Sequence, residues 1–305
     1  MLAHRLRTQE STKITMSSIA CVWTDFRNDA DADQWYGDSH IPAVVGKLGT
    51  TAKIAEKAED NAFKEVAAIH GTFMTVYDLP DGQSTEDLEV QLRPAPDKLP
   101  KDARVHSRIY TEFAGWLGDD WRGDEQDIQM WVVVRWQPVD AVHDEFVEWF
   151  TEEFAPGMLE SPELLRMRLF RVDNTSSFKN QEYEERDLKA VFQYMTFWEF
   201  DCDELPWEIL VYLGSSERWR YYVEGGYVNW QIAQYLVNKI YPDDKSTGST
   251  SNRASIAMPR RAVGASDASD SDDRSARDSD DDDIHQNADK RGSDGGTHGE
   301  PYVVR

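Results

Sequence analysis

The stretch WYGDSHIP, residues 35–42, places Trp35, Tyr36, Asp38, His40 and Pro42 within eight positions. Of these, His40 is the residue able to move protons, because an imidazole titrates near neutrality as a general acid or base must. Asp38 could orient that imidazole, but two residues along a helix is too close for a shared face. A solvated carboxylate at a helix end is the plainer reading. His40 has its own plain alternative, a ring that packs or caps the turn before Pro42. A second stretch, WFTEEFAP at 149–156, repeats the pattern with Phe154 in place of His40. The imidazole therefore belongs to one copy only. The bulk shared by both copies, Trp35 and Tyr36 matched by Trp149 and Phe150, reads as helix packing.

Another repeated pair carries candidate ligand-binding groups. In FMTVYDL (73–79), Phe73, Thr75 and Tyr77 share one strand face, opposite Met74 and Val76. In YMTFWEF (194–200), Tyr194, Thr196 and Trp198 repeat that face. Aromatic rings beside a hydroxyl suit a planar ligand, and equally suit plain core. The expectation is that this face lines the inside of the fold. In VHSRIYTEFAGW (105–116), His106, Arg108, Tyr110 and Glu112 also share a face. Four polar side chains in a row read as a solvated edge; turned inward, His106 and Tyr110 would make a second acid/base pair. Asp25 and Arg135 are minor candidates of the same kind. The sequence holds no glycine-rich phosphate loop, GxSxG elbow, HExxH or Cys-x-x-Cys.

The elements that carry these residues occur twice. SIACVWTDF (18–26) and QMWVVVRWQ (129–137) are β-branched and aromatic runs, read as first strands. Val142, Phe146, Trp149, Phe150 and Phe154 recur at helical spacing, and the matching first-half helix spans about 31–39, with Pro42 ending it or entering a further turn. TTAKIAEKA (50–58) and LRMRLFRVD (165–173) alternate as second strands, and the two ligand-face runs supply the third strands. STEDLEVQL and ELPWEILVYL read as second helices, and 105–116 as a fourth strand. VNWQIAQYLVNKIY (228–241) fits either a strand or a helix, with the repeat favouring strand. Each half then reads β-α-β-β-α-β, the ferredoxin-like unit. One face of such a sheet is covered by its helices, and the other must be buried against something. The expected fold is α+β: two ferredoxin-like units, 18–127 and 128–242, packed sheet to sheet as one pseudo-twofold α/β barrel within a monomer. A flexible extension (1–17) and a disordered, dispensable acidic tail (243–305) flank it.

The tail expectation rests on composition, since Asp, Ser, Gly and Arg bury too little apolar area to offset chain entropy. The net charge is −24 over 305 residues. The tail holds 14 acidic and nine basic residues, a balance of −5, leaving −19 for residues 1–242. Such a surface repels phosphate backbones, so neither nucleic acid nor an anionic membrane is an expected partner. Cys21 and Cys202 are too far apart in sequence to suggest a disulfide framework, and read as two buried thiols in a reducing cytoplasm. The first 18 residues lack the apolar core of a secretory signal. Their Arg, Ser and Thr content leaves a mitochondrial alternative, against which Glu10 counts.

An aromatic-acid-x-His-x-Pro sequence closing the first helix of a ferredoxin-like unit resembles the dimeric α/β-barrel superfamily, and its EthD-like branch in particular. The resemblance covers about residues 18–242 and takes the form of a fused tandem. Relatives include small cyclases, decarboxylases, dehydratases, heme-dependent enzymes and cofactor-free monooxygenases, besides members with no known activity. The resemblance implies a cavity for a small hydrophobic or aromatic molecule, with His40 near the barrel mouth. Heme ligation by His40 or His106 is open to the superfamily, but no residue argues for it, and the expected cofactor set is none. Two functions follow: a cofactor-independent lyase or cyclase acting through His40, or a non-catalytic binding or scaffold protein whose cavity has filled with aromatic side chains.

Overall fold

The computed structural model describes residues 17–27, 29–59, 62–80 and 84–242. The expectations for the extension, apart from Ser17, and for the tail fall outside the described residues. The first half contributes strands β1 (Ser18–Asp25), β2 (Ala52–Lys57), β3 (Phe73–Leu79) and β4 (Arg104–Leu117). The second contributes β5 (Met130–Pro138), β6 (Leu164–Lys179), β7 (Glu182–Glu185), β8 (Tyr194–Phe200) and β9 (Val228–Tyr241). Their order is β4-β1-β3-β2-β9-β5-β8-β6-β7, and a further β4–β6 pairing closes the ring. All strand pairs are antiparallel. The result is a closed eight-stranded barrel, with β7 as a short hairpin extension on β6. Closure removes the exposed sheet edges that invite unwanted pairing. Residues 228–241 form a strand, the one of their two readings that the repeat favours.

The helices lie outside: α1 (Ala30–Trp35), α2 (Ile41–Leu48) and α3 (Thr85–Leu92) over the first half; α4 (His143–Trp149), α5 (Ala155–Met158), α6 (Trp207–Gly214) and α7 (Glu217–Trp219) over the second. Pro42 does not end the first helix. The turn 36–40 widens to a π-helix, and the Ile41 N–H bonds to the Tyr36 carbonyl five residues back. In the second half 150–154 does the same, with the Ala155 N–H on Phe150 and Pro156 next in line. A proline inside a helix has no N–H to donate, and its ring crowds the carbonyl four residues earlier. Widening the turn absorbs that residue and lets the helix continue. The repeated aromatic-to-proline motif thus marks a π-turn at the matching place in each half.

Three apolar cores result. One fills the barrel itself, around Cys21, Trp23, Met74, Tyr110, Trp131, Phe170, Phe197 and Tyr235. The other two lie between the barrel wall and the helices of each half. Eight strands enclose a space that side chains can fill, and here they fill it.

Candidate functional site

His40 sits in the outer layer of the first half. Its Nε2 lies 3.1 Å from the Leu92 carbonyl, which can only accept, so Nε2 carries the proton. Burial lowers its pKa, opposed by that hydrogen bond. The ring stacks on Tyr36 at 5.2 Å and 21°, and lies 5.5 Å from Trp35. Phe154 repeats these relations: 5.3 Å and 33° to Phe150, and 5.3 Å to Trp149. The two rings hold matching positions on their helices, His40 half-buried and Phe154 fully buried with Trp198 and Trp219 against it as well, and His40 lines neither of the concavities described below.

The aromatic-hydroxyl faces are turned the other way from expectation. Tyr77 belongs to the helix-covered core of the first half, and Tyr194 and Trp198 to that of the second. Met74, Val76, Met195 and Phe197 face the barrel instead. Every central strand here is buried on both sides, by helices outside and by the opposite wall inside, so alternation alone cannot say which face is inner. The two threonines anchor the outer layers: Tyr36 Oη donates to Thr75 Oγ1 at 3.2 Å, and Trp136 Nε1 donates to Thr196 Oγ1 at 3.1 Å. Phe73 is half-buried at the start of β3. Replacing Tyr36 by Phe should lower stability by about 1–3 kcal/mol, since Thr75 is left buried without its donor. Urea unfolding of the variant measures this, and a loss below the experimental error would show that the bond contributes nothing.

The β4 face points inward, which overturns the solvated-edge reading. Arg108 and Tyr110 are buried among barrel residues. His106 and Tyr110 nonetheless form no acid/base pair, because four residues along a strand separate them by about 13 Å. Burial raises the Tyr110 pKa, against the pull of Arg108 and Arg135. Arg135 lies over the Trp23 ring at 4.3 Å, with Arg108 at 5.8 Å. The Cys21 thiol beside them is held protonated, its pKa pushed up by burial against Arg168, Arg135 and Arg108. Cys202 is only half-buried, so the expectation of two buried thiols holds for Cys21 alone.

Two concavities accompany these layers. A cavity of about 30 Å³ at the barrel mouth is lined by Trp23, Asp25, His70, Gly71, Arg104 and His106. Gly71 is needed there: its φ is +111°, and a Cβ would lie 2.9 Å from Trp23 Cβ. An open groove of about 340 Å³ on the outside of the second half is lined by Glu145, Glu148, Trp149, Glu152, Glu153 and Arg218.

One cluster escapes the sequence reading altogether. Glu199 is fully buried on β8 and accepts from Arg166 and from Arg168, the latter at 3.1 Å. Arg166 also reaches Glu125 at 2.9 Å and lies over Trp121 at 4.7 Å, and Lys53 of β2 pairs with Glu125 at 2.7 Å. This chain of charges ties the two halves together through the linker before β5. Its only signal in the sequence is the Arg-x-Arg spacing at Arg166 and Arg168 in LRMRLFRVD. Among the described residues no group of three or more His, Cys, Asp or Glu is placed to hold a metal ion, and no helix is long and apolar enough to cross a membrane.

The amino-acid sequence matches no protein-family model and no curated protein. Among solved structures, an anthrone oxidase-like protein is similar over 75% of this chain and 93% of its own, at 9% identity and a TM-score of 0.45. A monooxygenase-like protein from Listeria innocua covers 72% and 94%, at 10% identity and 0.35. A major regulator of staphylococcal pathogenesis covers 72% and 97%, at 8% identity and 0.37. Values this low carry no inference to activity, and the barrel stands on its own strand pairing.

Proposed function

We propose that this chain is a non-catalytic binding or scaffold protein of the dimeric α/β-barrel type, built as a fused tandem of ferredoxin-like units at 18–127 and 128–242. The tandem reading is supported by strand order: β4-β1-β3-β2 and β9-β5-β8-β6 run fourth, first, third, second in each half once β7 is set aside. The EthD-like reading rests on the WYxxxHxP motif. The observation that carries the non-catalytic reading is the matching placement of His40 and Phe154. A ring that phenylalanine replaces, on the same two flanking aromatics, is a packing element, and its Nε2 is occupied by the Leu92 carbonyl.

Accordingly, His40→Phe should keep the fold at a cost of about 1–3 kcal/mol, the Leu92 carbonyl being left without its donor. In the wild-type chain the His40 ring resonances should stay unmoved when 1-naphthol, a planar aromatic probe, is titrated in. Unfolding of His40→Phe, or a saturable shift of those resonances, would overturn the reading in favour of a ligand at His40. A second reading, binding of a small polar molecule at the barrel mouth, is favoured by the cavity beside His106. At about 30 Å³ it has room for a water or two and not for an aromatic compound.

A further inference from the structure

The second helices of the two halves, α3 and α6, show solvent different faces. Helix α3 exposes Glu86, Asp87 and Val90. Helix α6 exposes Trp207 at 51%, Val211 at 66% and Tyr212 at 70%, with Glu208 its one charged residue. Nothing in the architecture requires the difference, because α6 already packs inward through Ile209, Leu210 and Leu213. Large apolar side chains gathered on one exposed face mark a contact surface. Beside it lies a source of charge. Arg218 of α7, four residues beyond the end of α6, lines the groove whose other walls carry Glu145, Glu148, Glu152 and Glu153.

A second copy of the chain is a poor occupant. The exposed parts of Trp207, Val211 and Tyr212 amount to roughly 400 Å², about half of what each partner in a stable complex buries. Two surfaces from a region carrying −19 would also repel. The chemistry asks for a short segment with apolar residues and arginines, and the chain contains one. From Lys245 to Ser266 there is no Asp or Glu, and Arg253–Val263 brings together Arg253, Ile256, Met258, Arg260, Arg261 and Val263. Twelve of the tail's 14 acidic residues come after it. Reach is sufficient: β9, at 14 residues, carries the chain about 45 Å from Val228, beside the second helix layer, to Tyr241. The 16 residues from Asp243 to Met258 span up to about 55 Å when extended.

We propose that residues 253–263 dock on the face of α6, with Ile256, Met258 and Val263 on Trp207, Val211 and Tyr212, and with the arginines on the glutamate groove. The proposal does not depend on whether the barrel is catalytic. Hydroxyl-radical footprinting of the full chain, read residue by residue by mass spectrometry, tests it. Trp207 and Tyr212 should be oxidised several-fold more slowly in the wild-type chain than in the Arg253→Glu, Arg260→Glu, Arg261→Glu chain. Their protection should also disappear in about 1 M NaCl, where charges act over only about 3 Å. The Glu148→Lys, Glu152→Lys chain should lose protection likewise, and combining both sets of reversals should restore it. Unchanged oxidation of buried Trp131 confirms folding of each variant. Equal oxidation of Trp207 and Tyr212 in wild-type and reversed chains overturns the proposal. So does protection that survives reversal, or that rises with protein concentration as a second copy would require.

Discussion

Replacing Glu199 by alanine is expected to cost about 3–5 kcal/mol of stability. The carboxylate is fully buried between Arg166 and Arg168. Without it Arg168 keeps its buried position and loses its ion-pair partner. The same pairing predicts acid sensitivity. Burial alone would raise the Glu199 pKa, but Arg168 and Arg166 hold it down at about 2. An unfolded glutamate titrates near 4.3. A depressed folded pKa contributes stability that is fully present above the unfolded value and lost as pH falls through the folded one. Stability should therefore decline between about pH 4.5 and pH 2, by about 3 kcal/mol from this group. Urea titrations of wild type and Glu199→Gln across that range check it. Parallel pH profiles for the two chains would show that the acid response comes from elsewhere.

Trp136→Ala should destabilise by about 3–5 kcal/mol. Trp136 is buried at the end of β5, stacked on Trp230 at 5.7 Å and 10°, edge-on to Phe150 at 5.7 Å, and bonded through Nε1 to Thr196. Truncation leaves a large void in the second helix layer and a buried hydroxyl without its donor. Trp136→Phe should recover most of the packing and none of the hydrogen bond, placing it between the two. Calorimetric unfolding of the three chains gives the order. A Phe variant as damaged as the Ala variant would assign the effect to the hydrogen bond and away from the stack.

Strand positions and their order in each half are legible from apolar alternation and from the repeat. WYGDSHIP and WFTEEFAP lie on matching helices, and FMTVYDL and YMTFWEF on matching strands of the one barrel. Sidedness is not legible. Tyr77 and Met74 are both fully buried, on opposite faces of one strand, and hydrophobicity ranks them equally for the interior. The inward turn of Arg108 is hidden for a related reason: a guanidinium in a strand reads as solvated unless its aromatic neighbours, here Trp23 from another strand, are known. The role of His40 is legible in part, because Phe154 at the matching position already signals that an apolar ring suffices. What the sequence withholds is the Leu92 carbonyl that occupies its nitrogen, 52 residues away along the chain.

The wedging of β9 between β2 and β5 has a consequence for how the protein is made. Residues 52–57 pair with β3 along one edge and with 235–241 along the other, and β5 shares that same last strand. During synthesis from the N-terminus, the first unit can assemble while the β2 edge waits for a segment not yet translated. Contacts spanning this much of the chain are slow to form, and an open edge is a template for pairing with other nascent chains. A product that terminates before residue 228 keeps two such edges permanently.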